Sequence, residues 1–260
     1  MKKLIVLDID GTLIDDNFNV SYKTINIIKT LVENGVHVAL ATGRAIRAAD
    51  VVRKQVGIDL PIIGHNGSRI RLANGEEIYN EKIPLSIAKN IIQYAEENNL
   101  YIKIYVGDMF YVKEDNELTQ YYSKTHDLEY IIIDELSREL REEPNMITMI
   151  YDFPIDEKEM NKFKDMDINI TASTNIGLEF IAKGVTKGAG LKRLAKNLKI
   201  NRKDILAIGN SLNDLSMLQY AGTGIAMANS DEYLLNRWDN VSKHNNNEEG
   251  VYRILKDIVD

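Results

Sequence analysis

The first 64 residues alternate short apolar runs with amphipathic segments, and this rhythm restricts the possible folds more than any other feature of the chain. Residues 4–7, 36–41 and 61–64 form apolar runs of strand length. Between them lie two segments with apolar residues three and four apart, the first starting after Ser21 and the second ending before Gly57. Alternating strands and helices are typical of a parallel sheet with crossover helices. We therefore expect an α/β core.

The middle of the chain has a different rhythm. Residues 68–72 and 77–80 flank one hairpin signal, and Gly107-Asp108 forms a second between two further apolar runs. The alternation of strands and helices returns at Lys187 and continues to the end. We predict a Rossmann-like, doubly wound parallel core made of residues 1–81 and 184–260. An α+β cap domain is expected as an insertion at residues 82–183.

Composition excludes several classes of function. The 39 acidic and 32 basic residues give a net charge of −7, without the dense Lys/Arg cluster that a nucleic-acid binder usually displays. No apolar run approaches the roughly 18 residues of a membrane span, and the first run stops at Asp8, too early for a secretory signal. Cysteine is absent, which excludes thiol nucleophiles and fits a reducing compartment. We expect a cytoplasmic protein with no nucleic-acid or membrane partner.

Polar residues follow the predicted parallel strands, at the edge where open α/β sheets bind ligands. Four strand ends contribute, and Lys187 opens the helix that leads into the fourth strand. The residues are Asp8 and Asp10, then Thr42, then His65 and Asn66, then Asn210, Asn213 and Asp214.

Asp8 and Asp10 are two residues apart, so their carboxylates point the same way from an extended strand end. Two like charges held this close favour either a divalent cation such as Mg²⁺ between them or a proton retained on one. A retained proton would make that residue a general acid. An isolated Asp-x-Asp also occurs as a simple helix cap, but the string Asp8-Ile-Asp-Gly-Thr-Leu after a buried strand is more specific.

Four motifs carry a resemblance to a known family. They are Asp8-Ile-Asp-Gly-Thr-Leu, Ala41-Thr-Gly-Arg44, Gly184-Val-Thr-Lys-Gly188 and Gly209-Asn-Ser-Leu-Asn-Asp-Leu-Ser-Met-Leu218, with Asn66-Gly67 and Asn246-Asn-Glu-Glu-Gly-Val251 as further landmarks. The chain resembles the haloacid dehalogenase-like (HAD) superfamily, and within it the Cof-type sugar-phosphatase-like branch. The predicted insertion lies where that branch carries its cap.

The resemblance implies a role for each matching residue. Asp8 would be the nucleophile that forms an aspartyl-phosphate, and Asp10 would protonate the leaving oxygen and then deprotonate water. Asp8, Asp10 through its backbone carbonyl, Asn210 and Asp214 would hold Mg²⁺. Lys187 would neutralise charge on the phosphoryl oxygens as a third catalytic residue. The remaining substrate-binding positions would be Thr42, Gly43, Arg44, Asn66 and Asn213.

Simpler interpretations stand beside these roles. Lys187 could be a solvated lysine, although cations are disfavoured in the first turn of a helix. Thr42 could cap the following helix. Arg44 could grip substrate or form only a surface ion pair. His65 could contact substrate, or be a bystander.

One position departs from the family pattern, which usually has Asp where this chain has Asn210. An amide oxygen ligates Mg²⁺ without formal charge, so weaker metal binding is expected. The leading hypothesis is a Mg²⁺-dependent phosphatase for small phosphomonoesters such as sugar phosphates, with a small phosphorylated metabolite as partner. The alternatives are a catalytically weakened phosphometabolite-binding protein and a phosphosugar mutase.

The cap is expected to close over the site and to contact the substrate beyond its phosphate. Specificity is expected from Glu179, Lys183 and the strand near Ser173-Thr174. The aromatic residues of the insertion, including Tyr105 and the pair Tyr121-Tyr122, are interpreted as sheet packing.

Overall fold

The computed structural model describes residues 2–259, in which the chain forms two β-sheets with a cavity between them. Met1 and Asp260, the ends of the predicted core, lie outside the described residues. With strands numbered along the chain, the first sheet has the spatial order β13 (Thr223–Ala226), β12 (Ile205–Gly209), β1 (Leu4–Leu7), β2 (His37–Ala41), β3 (Ile62–Gly64), β4 (Arg69–Arg71), β5 (Glu77–Asn80). The strands from β13 to β3 are parallel, and β4 and β5 extend the sheet as the predicted antiparallel hairpin.

Helices cover both faces of this first sheet. The side chains of β1 alternate between two apolar clusters, with Ile5 and Leu7 in one and Leu4 and Val6 in the other. The first cluster is completed by α1 (Tyr22–Glu33), α2 (Ile46–Val56) and α10 (Gly250–Val259), and the second by α7 (Lys187–Asn197), α8 (Leu215–Tyr220) and α9 (Glu232–Leu235). This two-sided burial is why the strands are continuously apolar. The predicted doubly wound core is confirmed.

The second sheet is formed by strands between residues 101 and 182. Its order is β10 (Ile168–Thr174), β11 (Gly177–Ala182), β9 (Met146–Ile150), β6 (Tyr101–Val106), β7 (Met109–Val112), β8 (Glu129–Ile132). Its helices are α3 (Leu85–Glu97), α4 (Glu117–His126), α5 (Leu136–Glu139) and α6 (Glu157–Asn161). The strands agree with the expected α+β cap, whose exact boundaries at 82 and 183 stay a prediction.

Alternation along β6 decides which residues of the cap sheet meet the cavity. Ile102 and Ile104 pack into the apolar cluster under α3, whereas Lys103 and Tyr105 point the other way and line the cavity. The same face of the cap sheet also contacts Ala45 and Ala48 at the start of α2.

Helix α4 was not predicted, and the interpretation of Tyr121 and Tyr122 as sheet packing is wrong, because both residues lie on this helix. It has no aliphatic stripe, since only Thr119 is buried. Its signals are weaker: Asn116 caps the start, and Lys124 and His126 occupy the last turn. None of the helices within residues 2–259 combines the length and apolar character needed to span a membrane.

Candidate active site

Backbone hydrogen bonds bring the predicted strand ends together. The amide of Asp8 donates to the carbonyl of Ile208 at 3.0 Å, and the amide of Asn66 donates to the carbonyl of Thr42 at 3.0 Å. Parallel register thus places the ends of β12, β1, β2 and β3 side by side. Residues separated by up to 200 positions in sequence become neighbours at one edge of the sheet.

Lys187 links two of these strand ends. Its Nζ donates to Oδ1 of Asp8 at 2.7 Å and to Oδ1 of Asp214 at 2.6 Å, and all three side chains are buried. Thr186 caps helix α7 by accepting the amide of Ala189. A Cβ at Gly188 would overlap the carbonyl oxygen of Ser216, so glycine permits the close approach of α7 and α8 that holds Lys187 here. The interpretation of Lys187 as a solvated lysine is wrong.

The charges of this trio are interdependent. Burial raises the pKa of Asp8, and the neighbouring Asp214 raises it further, so that despite Lys187 it reaches about 7. Burial alone would lower the pKa of Lys187, but the two carboxylates outweigh it and hold that pKa above its usual value. The lysine is therefore a permanent cation beside a carboxylate whose ionisation is sensitive to its surroundings.

The carboxylate of Asp214 accepts three hydrogen bonds. Besides the bond from Lys187, its Oδ2 accepts the backbone amides of Asn210 at 2.9 Å and Ser211 at 3.1 Å. The carboxylate shapes the loop after β12 and fixes Lys187. In this structure it has less freedom to ligate a cation than the Asp8 carboxylate.

Asp10 and Arg44 are paired on the core side of the cavity. Two hydrogen bonds join the Arg44 guanidinium to the Asp10 carboxylate, and Arg44 is itself buried. The ion pair considered for Arg44 is present, but its guanidinium is buried and its partner Asp10, which is half exposed, lines the cavity, so the pair does not lie on the outer surface. The neighbouring Thr42 hydroxyl accepts the backbone amide of Arg44 at 3.0 Å. Thr42 does not cap α2, since the residue at the cap position is Ala45.

The side-chain amide of Asn210 sits among three oxygens. One end of the amide lies 2.9 Å from the carbonyl oxygen of Asp10, 3.1 Å from Oδ2 of Asp8 and 3.1 Å from Oγ1 of Thr12. With its nitrogen at this position, the two N–H groups of Asn210 are shared among these three acceptors. The amide thus occupies the polar space between the two aspartates.

The same oxygens test whether a hard cation fits the site. The Asp8 carboxylate, the Asp10 carbonyl and the Asn210 amide, turned to present its oxygen, form the hard-oxygen donor set that Mg²⁺ prefers. Within residues 2–259 no group of three His, Cys, Asp or Glu side chains could hold a metal ion. The donors fit Mg²⁺, but with fewer formal charges than an all-carboxylate site.

A chain of amide hydrogen bonds joins the core to the cap. Nδ2 of Asn213 donates to Oδ1 of Asn66 at 3.1 Å, and Nδ2 of Asn66 donates to Oε2 of Glu179 at 2.7 Å. Ser173 donates to the other oxygen of Glu179 at 2.5 Å. Asn66 and Asn213, predicted as phosphate-binding residues, are both buried, and Asn213 lines the cavity.

The cavity has a volume of about 270 Å³ and is lined from both sides. The core side contributes Asp8, Asp10, Gly43, Arg44, Asn210 and Asn213. The cap side includes Ser173, Thr174 and Glu179, as expected, and also Lys103, Tyr105, Tyr121, Tyr122, His126 and Thr148, which the sequence analysis did not select.

Four of the residues predicted for the site are buried and do not line the cavity: Thr42, Asn66, Lys187 and Asp214. Lys183 and His65 do not line it either. Lys183 is exposed and lies 3.8 Å from Asp167, so the specificity expected of it finds no support. His65 is fully buried against the ring of Tyr105, and neither of its ring nitrogens has a hydrogen-bond partner in the described part of the chain. Burial, and to a lesser extent the charge of Arg69, lower its pKa to about 3, so it is neutral.

Comparison with known proteins decides the family. A model of the haloacid dehalogenase-like hydrolase family matches residues 5–255. The chain belongs to this family. This match confirms the resemblance inferred from the four motifs. As a member of the family, the chain is a hydrolase.

Individual members resemble the chain over nearly its full length. Phosphatase YwpJ of Bacillus subtilis (strain 168) is 28% identical and matches 99% of this chain and 100% of its own. The 5-amino-6-(5-phospho-D-ribitylamino)uracil phosphatase YitU of the same organism is 26% identical, with 98% and 96% matched. A solved HAD-like hydrolase from B. subtilis superposes with a TM-score of 0.86 at 28% identity, covering 98% of this chain and 99% of that one.

Proposed function

We propose that this HAD-like chain is a Mg²⁺-dependent phosphatase that hydrolyses small phosphomonoesters, such as sugar phosphates, through an aspartyl-phosphate intermediate. The observation that carries the proposal is the buried bridge from Lys187 to Asp8 and Asp214, in which Asp8 lines a cavity of metabolite size. Relatives over nearly the full length are phosphatases, one of them acting on a phosphoribityl compound.

In the first step an oxygen of Asp8 attacks phosphorus, and the bond from phosphorus to the ester oxygen breaks. Asp10 gives its proton to that leaving oxygen, and the alcohol departs. In the second step Asp10 takes a proton from water as the water attacks phosphorus, and the bond to Asp8 breaks to release inorganic phosphate. Each residue returns to its starting state.

The other residues act through charge and position. Lys187 offsets the negative charge on the phosphoryl oxygens, which phosphoryl transfer mainly requires of a protein. Thr42, Gly43, Arg44, Asn66 and Asn213 are proposed to position the phosphoryl group. Asp8, the Asp10 carbonyl and Asn210 would hold Mg²⁺, with Asp214 fixing Lys187 and the loop beside them. The cation supplies further electrostatic neutralisation of the phosphoryl group.

The direct test is release of inorganic phosphate from an aryl phosphate and from a panel of sugar phosphates, with Mg²⁺ and with EDTA. We expect turnover that needs the metal and disappears in Asp8→Asn. Asp165→Asn, an exposed aspartate outside the cavity lining, is the matched control and should retain activity. Turnover by a folded Asp8→Asn protein would contradict the covalent mechanism. Transfer to a sugar hydroxyl instead of water would indicate the mutase alternative.

A further inference from the structure

Lys103 lies in the middle of the cap-sheet face that covers the catalytic residues. Lys103 on β6 pairs with Thr148 on β9, and Thr148 pairs with Glu179 on β11. All three side chains are buried and line the cavity. We refer to Lys103, Thr148 and Glu179 as the cap row.

The two charged members of the cap row differ in their partners. Glu179 accepts hydrogen bonds from Asn66 and Ser173. The side-chain ammonium of Lys103 makes neither a hydrogen bond nor an ion pair with any residue between 2 and 259, although only 3% of the residue is exposed. Its Nζ rests against the ring of Tyr122, 2.9 Å from the centroid.

The other buried cations near the cavity are already neutralised. Arg44 is bound to Asp10, and Lys187 to Asp8 and Asp214. Burial lowers the pKa of Lys103 well below its usual value, and the charge of Glu179 only partly opposes this. A bound anion would favour the protonated form of Lys103, and the attraction between the two charges would be strong because little water competes for the ammonium.

We propose that Lys103 binds a second anionic group of the substrate, a carboxylate or a second phosphoryl group, at the end remote from the phosphoryl group that is transferred. The inference rests on the proposed phosphatase function and names its substrate class. Repulsion by Glu179 is moderated by distance, since two strand spacings, about 10 Å, separate the backbones of these residues. A volume of about 270 Å³, just below the roughly 300–1,000 Å³ of drug-sized ligand sites, has room for a small metabolite.

Matched substrate pairs isolate the second charge. 3-Phosphoglycerate differs from glycerol 3-phosphate by a carboxylate in place of a hydroxymethyl group, and fructose 1,6-bisphosphate differs from fructose 6-phosphate by one phosphoryl group. We expect kcat/KM to be at least tenfold higher for the doubly anionic member of one pair, and that pair identifies which anion is bound. Equal values within both pairs would overturn the proposal.

Substitution then tests the residue. Lys103→Met should reduce the ratio of kcat/KM within the preferred pair about tenfold, and Lys103→Arg should retain most of it. The control Lys113→Met removes an exposed cap lysine outside the cavity lining and should leave the ratio as in the unaltered protein. An unchanged ratio in a folded Lys103→Met protein would refute the role of Lys103.

Binding separates this inference from the proposed function. Calorimetric titration of Asp8→Asn, with and without Lys103→Met, by the same four compounds requires no turnover. The inference is supported if the doubly anionic member of a pair binds more tightly and Lys103→Met removes this difference in affinity. This result counts even if no substrate releases phosphate. Equal binding of both members refutes it even in an active phosphatase.

Discussion

The guanidinium of Arg44 holds the carboxylate of Asp10 by two hydrogen bonds, from Nε to Oδ2 at 2.8 Å and from Nη2 to Oδ1 at 2.5 Å. The Asp10 side chain is about half exposed, and its partial burial alone would raise its pKa, but the bonds and charge of Arg44 outweigh this and hold that pKa below its usual value. Asp10 is thus ionised at neutral pH, which suits a base. To act as an acid it needs weaker contact with Arg44, and an incoming phosphoryl group would provide this by competing for the guanidinium.

Replacing Arg44 with Gln is expected to raise the pKa of Asp10. Since the proposed mechanism needs a proton on Asp10 for departure of the alcohol, the alkaline limb of kcat/KM for an alkyl phosphate should move to higher pH by about one unit. The pH profile of Arg44→Gln measures this. Arg138→Gln, which alters an exposed arginine, is the control, and an unmoved limb in both variants would show that Arg44 does not govern Asp10.

Asp8→Asn should change how stability depends on pH in the metal-free protein. Because the pKa of Asp8 rises from 3.8 to about 7, the folded chain binds a proton between these pH values that the unfolded chain has lost. The contribution of Asp8 to the free energy of unfolding therefore falls as pH rises from about 4 to 7, by up to about 1.4 kcal/mol per pH unit. Urea unfolding in EDTA should show that the free energy of unfolding of Asp8→Asn, relative to that of the unaltered protein, increases as pH rises across this window. A constant difference would contradict the raised pKa.

Asn210→Asp should strengthen Mg²⁺ binding about tenfold, because it adds a charge to the donor set of Asp8 and the Asp10 carbonyl. Calorimetric titration with Mg²⁺ measures the affinity independently of activity. In EDTA the same variant should be less stable, since a carboxylate replaces an amide that donates to Asp8. Asn236→Asp adds the same charge at an exposed position and serves as control. Equal affinities would show that position 210 does not touch the ion.

Asn66→Ala should lower the free energy of unfolding by about 1–3 kcal/mol, because it deprives the buried groups of Asn213 and Glu179 of a hydrogen-bond partner. Chemical denaturation measures the loss, and exposed Asn161→Ala is the comparison. The double variant Asn66→Ala/Glu179→Gln should lose less free energy of unfolding than the two single variants lose in total. Additive losses would mean that the contact between core and cap contributes no stability.

The core and the edge that carries the candidate site could be predicted because both follow from local sequence. Each parallel strand is a continuous apolar run, and the polar residue that ends it must lie at the same edge as its neighbours. Asp8, Thr42, Asn66 and Asp214 came together for this reason, without any knowledge of contacts.

The cap side of the cavity could not be predicted in the same way. Lys103 contacts the cavity only because β6 pairs with β9 in one particular register, and a shift by one residue would turn it to the opposite face. Tyr122 depends on helix α4, which lacks an apolar stripe. The grip of Arg44 on Asp10 likewise depends on side-chain placement that motif spacing does not encode.

The cap row has an evolutionary consequence. Its three positions come from three strands of the insertion, while the groups proposed to handle phosphorus come from the other sheet. Glu179 is tied to Asn66, but Lys103 and Thr148 are not. Exchanging either of these two side chains would change which metabolite is accepted without altering a hydrogen bond to the groups that handle phosphorus. Related enzymes can therefore acquire new substrates by single replacements in the cap, because the residues proposed for the reaction lie in the core.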